Sequence, residues 1–178
     1  MVMDKVKYGV IGLGWFGGKH AEVLSQIPNV ELYALCTRTE SRLEELAREF
    51  GVKKTFTDYR EMLADPELEA VSITTMWDQH AAPTIAALEA GKHVFCEKPM
   101  ASTREDCEKI VKAARAAQGK FMVGHIVRFN PRYAMAKRVV AEGKVGRIVS
   151  MFARRNIPAW VTEEILQKIG PIVGDGVH

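Results

Sequence analysis

Gly12-Leu13-Gly14-Trp15-Phe16-Gly17 follows directly on the apolar, β-branched run Val6–Ile11 and leads into residues, Ala21, Leu24 and Ile27, that recur at helical spacing. A strand that turns into a helix through three glycines at G-x-G-x-x-G spacing has few ways to fold. Gly12 permits the tight turn, Gly14 lets backbone approach a pyrophosphate, and Gly17 allows close packing of helix on strand. The free N–H groups at the start of the helix then meet phosphate charge. The run therefore predicts a strand–turn–helix that binds a dinucleotide, with Leu13, Trp15 and Phe16 beside the ligand along with the three glycines.

The rest of the chain continues the rhythm. Glu31–Cys36, Ala70–Thr74, His93–Cys96 and Phe121–Val123 are short apolar runs of the kind that form buried parallel strands. Between them lie helix candidates with recognisable starts: Ser41 with Glu44, Asp58 with Glu61, and Ser102 with Glu105. The third is predicted to bury Cys107, Ile110, Val111, Ala114 and Ala117 on one face and to end at Gly119. A further helix spans about His80 to Ala90 and stops at Gly91. Strand and helix alternating in this way predict an α/β fold with a doubly wound parallel sheet. After Gly124 the pattern changes. Asn130-Pro131 opens a helix toward Glu142-Gly143, and Val145–Arg154 is predicted as a strand. The expected division is a nucleotide-binding domain over 1–123 and the opening of a second domain over 124–178.

At the ribose end, an NAD site expects an acid about 20 residues beyond the glycines. Cys36-Thr37-Arg38 stands there instead. Thr37 removes the repulsion an acid would exert on a 2′-phosphate, and Arg38 offers it a cation. NADP is thus favoured over NAD, the other reading being that Arg38 only begins a solvated helix.

Charge sets further bounds. The net charge of +3, from 25 Lys+Arg against 22 Asp+Glu, argues against nucleic acid or an anionic membrane as partner. It is unevenly placed, with 9 basic and 4 acidic residues over 124–178. That excess includes Arg128, Arg132, Arg147, Arg154 and Arg155 and suggests an anionic small-molecule substrate, a solvated face being the plainer alternative. Cys36, Cys96 and Cys107 show no C-x-x-C spacing and read as reduced thiols of a cytoplasmic protein. No signal peptide or membrane span is expected. His20, His80 and His93 read as structural or supporting histidines and lack metal-ligand spacing, so no metal site is expected.

Glu97-Lys98-Pro99, straight after His93-Val94-Phe95-Cys96, completes a wider pattern with the glycine loop, His80 and Gly124-His125-Ile126-Val127-Arg128-Phe129-Asn130-Pro131. On these residues the chain resembles the glucose–fructose oxidoreductase/inositol dehydrogenase family. The resemblance implies an N-terminal Rossmann domain and a C-terminal α/β domain with a large open sheet. It implies an NAD(P)-dependent oxidoreductase that moves a hydride between nicotinamide and a hydroxyl or keto carbon of a sugar, cyclitol or nucleotide sugar. A non-catalytic NAD(P)-binding regulator of the same fold is the alternative.

The resemblance also assigns roles. Lys98 would reach the substrate hydroxyl and the nicotinamide ribose, and Glu97 would hold the strand-end geometry. Thr75, Trp77, His80 and Arg128 join the cofactor-binding set. Many relatives continue with Pro-Asn where this chain has Met76-Trp77, and Trp77 would stack by the cofactor, shape the substrate mouth or pack on the sheet edge. The family's D-x-x-x-H pair places the acid/base histidine at His178. Its matching acid position is Gly174, with Asp175 one place later, so the assignment to His178 is the firmer of the two. Relatives associate through the second domain's sheet, which implies a homo-oligomer at full length. A chain holding one nucleotide-binding domain and only the opening of the next is expected to be a shortened form, able to bind NADP but weakly active or inactive.

Overall fold

The computed structural model describes residues 5–152 and 154, in two compact units that divide after Gly124. The first unit runs β1 (Val6–Ile11), α1 (Trp15–Gln26), β2 (Val30–Cys36), α2 (Glu40–Phe50), β3 (Lys54–Phe56), α3 (Tyr59–Leu63), β4 (Ala70–Ile73), α4 (Ala81–Glu89), β5 (His93–Glu97), α5 (Arg104–Ala116) and β6 (Phe121–Gly124). All six strands are parallel, in the order β3-β2-β1-β4-β5-β6. The chain winds from β1 toward β3 on one side, then crosses to β4 on the other. Loops therefore leave β1 and β4 in opposite directions and open a crevice at their carboxyl ends.

Alternation along the strands feeds two cores. Val10 and Leu35 point to one face, where they meet Leu24 of α1 and Leu43 and Leu46 of α2. Ile11, Cys36, Val71 and Ile73 contribute to the other, with Leu88 of α4. Each fully buried side chain of this size contributes about 1.5–3 kcal/mol. The register of β1 on β2 steps by one, Tyr8 facing Leu32 and Gly9 facing Ala34, so Tyr33 is an extra residue in a β-bulge.

Several expectations need correction. β3 was not anticipated, because Lys54-Thr55-Phe56 is a three-residue edge strand too short to show a period. The N-cap of α2 is Thr39 rather than Ser41, and that of α5 is Thr103 rather than Ser102, whose hydroxyl neighbours offered the same spacing. Thr103 Oγ1 accepts from the Asp106 N–H at 3.1 Å. Asp58 does cap α3, accepting from the Arg60 N–H at 2.8 Å. On α5 Ile110 is buried, while Val111 faces outward and Ala113 packs in its place. The chain leaves α5 at Ala117, and Gly119 serves as a close contact instead: a Cβ there would lie 2.3 Å from the Lys92 carbonyl oxygen.

In the second unit a 3₁₀ turn (Ile126–Phe129) precedes α6 (Pro131–Ala141). Asn130 caps α6 as anticipated, its Oδ1 accepting from the Arg132 N–H at 3.0 Å, with Pro131 in the first turn. The strand expected over Val145–Arg154 is not formed by its described residues. Val149 and Phe152 are 86% and 89% exposed, and a largely apolar run makes a strand only where a sheet edge is there to pair with it.

Candidate functional site

The crevice between β1 and β4 holds a cavity of about 710 Å³. Gly12, Leu13, Gly14, Thr37, Arg38 and Thr75 line it, so six of the residues singled out from the sequence meet at one place. Gly12 has φ +93°, a conformation side chains resist, and a Cβ there would lie 2.6 Å from the Thr75 nitrogen. At Gly17 a Cβ would lie 1.9 Å from the Gly12 carbonyl oxygen, which is the close approach of α1 to β1. A Cβ on Gly14 would meet nothing within 4 Å. Two glycines close the turn, and the middle one leaves room over the start of α1.

Backbone bonds fix the loop from both sides. The Gly12 N–H donates to the Cys36 carbonyl at 2.8 Å and the Thr74 N–H to the Ile11 carbonyl at 2.9 Å. Thr74 Oγ1 donates to the Gly12 carbonyl at 2.6 Å, a contact between residues 62 apart that no motif announces. Its neighbour Thr75 behaves differently. Thr75 Oγ1 is buried at the cavity wall with no hydrogen-bond partner, and buried hydroxyls are rarely left so. An open Gly14 and an orphaned hydroxyl suit a ligand rich in acceptors, as a dinucleotide is.

Arg38 Nη2 donates to Gln79 Oε1 at 3.0 Å, spanning the crevice from the end of β2 to the 3₁₀ turn Trp77–Gln79. Sequence reading missed Gln79, which carries no motif. Trp77 opens that turn half-buried, while Met76, Asp78 and Gln79 line the cavity. Burial, then Asp58, pushes the Cys36 thiol up to about 12, and burial pushes that of Cys96 to about 11. Neither is a thiolate nucleophile at neutral pH.

Trp15 and Phe16 stand at the start of α1, edge to face at 5.0 Å between ring centroids. Trp15 is 72% exposed. One turn further, His20 reaches under the sheet end. Its Nε2 lies 3.2 Å from Glu97 Oε1 and its Nδ1 3.0 Å from Ser72 Oγ, which bonds Tyr8 Oη at 3.3 Å. Glu97 Oε2 accepts the Lys98 N–H at 3.1 Å. Glu97, 6% exposed, is thus held on one side by imidazole and on the other by the backbone of the lysine it precedes. Gly124 leaves the space: a Cβ there would lie 3.0 Å from Glu97 Oε1. The same burial raises the Tyr8 hydroxyl above its usual range.

Lys98 is half-buried, and its peptide to Pro99 is cis. His80, 1% exposed, sets one ring nitrogen 2.8 Å from the Pro99 carbonyl and the other 3.0 Å from that of Thr75. It therefore ties the turn carrying Lys98 to the loop lining the cavity. Arg128 lies in the second unit, exposed on its 3₁₀ turn. Asp175 and His178 lie outside the described residues. Among the described residues no group of three or more His, Cys, Asp or Glu converges to hold a metal ion, and no helix is long and apolar enough to cross a membrane.

Known proteins share this arrangement. Residues 6–125 match a family described as an oxidoreductase family with NAD-binding Rossmann fold. A myo-inositol 2-dehydrogenase of Thermotoga maritima is 34% identical over 142 residues, 80% of this chain and 42% of that protein. The crystal structure of a scyllo-inositol dehydrogenase from Lactobacillus casei, with bound NAD(H) and scyllo-inositol, aligns with a TM-score of 0.78 at 33% identity, covering 82% of this chain and 43% of that one. The WlbA dehydrogenase from Bordetella pertussis, in complex with NADH and UDP-GlcNAcA, gives 0.76 at 28% identity, over 81% and 44%. The chain spans less than half the length of each of these three proteins.

Proposed function

The chain belongs to the glucose–fructose oxidoreductase/inositol dehydrogenase family, and from that premise we propose that it works as an NAD(P)-dependent oxidoreductase on a CH–OH group of a sugar, cyclitol or nucleotide sugar. The observation that carries the reading is the β1/β4 crevice itself, where Gly14 stands open and Thr75 Oγ1 lacks a partner. Nicotinamide, when bound, supplies the carbon that gives or takes a hydride. The chain's own residues do the rest. The first-turn N–H groups of α1, free of helical partners, hold pyrophosphate. Thr75 offers its hydroxyl beside them.

Arg38 receives a 2′-phosphate, with Thr37 leaving no competing carboxylate, so NADP is preferred to NAD. Lys98 holds its ammonium beside the substrate hydroxyl and stabilises developing alkoxide. His178 moves the hydroxyl proton, with Asp175 as its nearest carboxylate in sequence. An imidazole near its unperturbed pKa of about 6.5 suits that task at neutral pH. The arginines of the second unit, Arg128 among them, favour an anionic sugar. The free thiols Cys36, Cys96 and Cys107 fit a reducing compartment, the cytoplasm, and a homo-oligomer is the assembly the reading predicts.

Fluorescence titration tests the first step, because Trp15 stands at the dinucleotide loop. Saturable quenching by NADPH, weaker with NADH, is expected. Reduced-nicotinamide absorbance, followed with a panel of inositols, sugar acids and nucleotide sugars, tests the second. Failure to bind either dinucleotide overturns the reading, whereas binding without turnover on any member of the panel favours a regulator.

A further inference from the structure

The glycine loop has a third support, from a residue to which no role has been assigned. Arg42 lies in the first turn of α2, and its Nε donates to the Leu13 carbonyl at 3.2 Å. Its Nη1 pairs with Glu45 Oε2 at 2.7 Å, which fixes the outer end of the guanidinium. Its Nη2 lies over Gly18, where a Cβ would stand only 2.9 Å from it. One planar group is therefore held at a loop carbonyl, over a glycine of α1, and by a carboxylate of its own helix.

The two sides of the Leu13–Gly14 peptide differ in how firmly they are held. The Leu13 side chain is buried in the core beside Leu43 and Leu46. Gly14 has no side chain and nothing around the place where one would be, so sterics offer little resistance to rotation of that peptide. In a trans peptide the carbonyl of Leu13 and the N–H of Gly14 point in opposite directions. A bond that fixes the carbonyl therefore fixes the N–H, and with it the path of the chain into the first turn of α1.

We infer that Arg42 is a positioning residue for the dinucleotide: it sets the Leu13–Gly14 peptide so that the free N–H groups of the loop and of α1 are presented together to pyrophosphate. The inference rests on the dinucleotide reading above. It is a claim about geometry rather than charge, and the salt arm of the test separates the two.

The test uses the 178-residue chain. NADPH and adenosine 2′-phosphate, which lacks the pyrophosphate, are titrated into wild type, Arg42→Met and Arg42→Lys. The methionine variant is expected to bind NADPH about tenfold more weakly, and adenosine 2′-phosphate within about twofold of wild type. The loss should persist in about 0.5 M NaCl, where exposed charges are screened within a few ångströms. Arg42→Lys, which keeps a donor for the Leu13 carbonyl, should recover most of the affinity. The Gly14 amide resonance should move in the methionine variant and return in the lysine one, with the unliganded melting temperature unchanged.

NADPH affinity within twofold of wild type in Arg42→Met overturns the inference. So does a loss that vanishes in salt, or one shared equally by adenosine 2′-phosphate. Should Arg42→Met fail to fold, Glu45→Gln releases the outer end of the guanidinium, and an unchanged NADPH affinity and Gly14 resonance there overturns the inference too. Wild type that binds neither ligand would instead remove the dinucleotide reading itself, a result distinct from any of these.

Discussion

The two edges of the parallel sheet handle polar groups in opposite ways. At the amino ends of the strands they satisfy one another. Tyr33, the bulge residue of β2, places its hydroxyl 2.8 Å from Glu67 Oε2 and 3.1 Å from Asp65 Oδ2, with one proton between the two carboxylates, and Lys54 bonds both Tyr33 and Asp65. Lys7 pairs with Glu67, and Lys92 Nζ donates to the Asp65 carbonyl at 2.8 Å. The Lys54 bond holds the Asp65 carboxyl below its usual range. At the carboxyl ends, backbone carbonyls take most of the bonds, Gly14 opens onto empty space and Thr75 Oγ1 has no partner. One edge is chemically closed and contributes stability; the other keeps valences for a ligand. Substitutions at the first should therefore move stability alone, and some at the second should move affinity alone.

The largest expected effect lies where the two properties meet. Gly17→Ala drives a Cβ into the Gly12 carbonyl, a backbone atom that has nowhere to go. It should cost about 3 kcal/mol in urea unfolding and abolish dinucleotide quenching of Trp15. Gly14→Ala is the sharp control: an unchanged midpoint with roughly tenfold weaker NADPH binding is expected, since the methyl fills only ligand space. A matched loss of stability would break the contrast between the edges.

His20→Leu comes next. It leaves the buried Glu97 carboxylate and the Ser72 hydroxyl without their imidazole, at about 2 kcal/mol by chemical denaturation. Here the carboxyl edge should behave like the amino edge, because the group is internally paired. Arg38→Gln should leave stability alone and lower the NADPH-to-NADH affinity ratio about tenfold, the worth of one charge-assisted bond; equal loss for both dinucleotides would place Arg38 elsewhere than at a 2′-phosphate.

Asp65→Asn should be mildest at neutral pH, about 1 kcal/mol, with dinucleotide affinity unchanged. Its signature is in acid. A carboxylate held below its ordinary 3.8 adds stability that is present above that value and is lost as pH falls through its folded-state value. The acid limb of unfolding free energy against pH should therefore be flatter in the variant, and an identical slope would show that the amino-edge cluster contributes nothing.

Much of the first unit was legible because glycine spacing, apolar strands and helix starts all pointed the same way. Gly12, Gly14 and Gly17 could be assigned before any coordinates, since each job follows from the absence of a side chain. Arg38 was legible by position as a residue of the crevice, just beyond the end of β2. Arg42 and Gln79 were not, for they act through a carbonyl and an amide brought near only by tertiary packing. His20 was recognisable as a supporting histidine, but its partners Ser72 and Glu97 lie 52 and 77 residues away. Lys54–Phe56 and Val145–Arg154 erred in opposite directions for one reason. A strand is made by its neighbour: the first has β2 beside it despite a weak pattern, and the second shows a strong pattern with no paired edge along its described residues.

The imidazole of His80, buried between carbonyls of two different loops, has a mechanical consequence. It acts as a spacer that sets how closely the segment after β4 and the turn after β5 approach each other. A shift of the Thr75 backbone is therefore felt at the turn that carries Lys98.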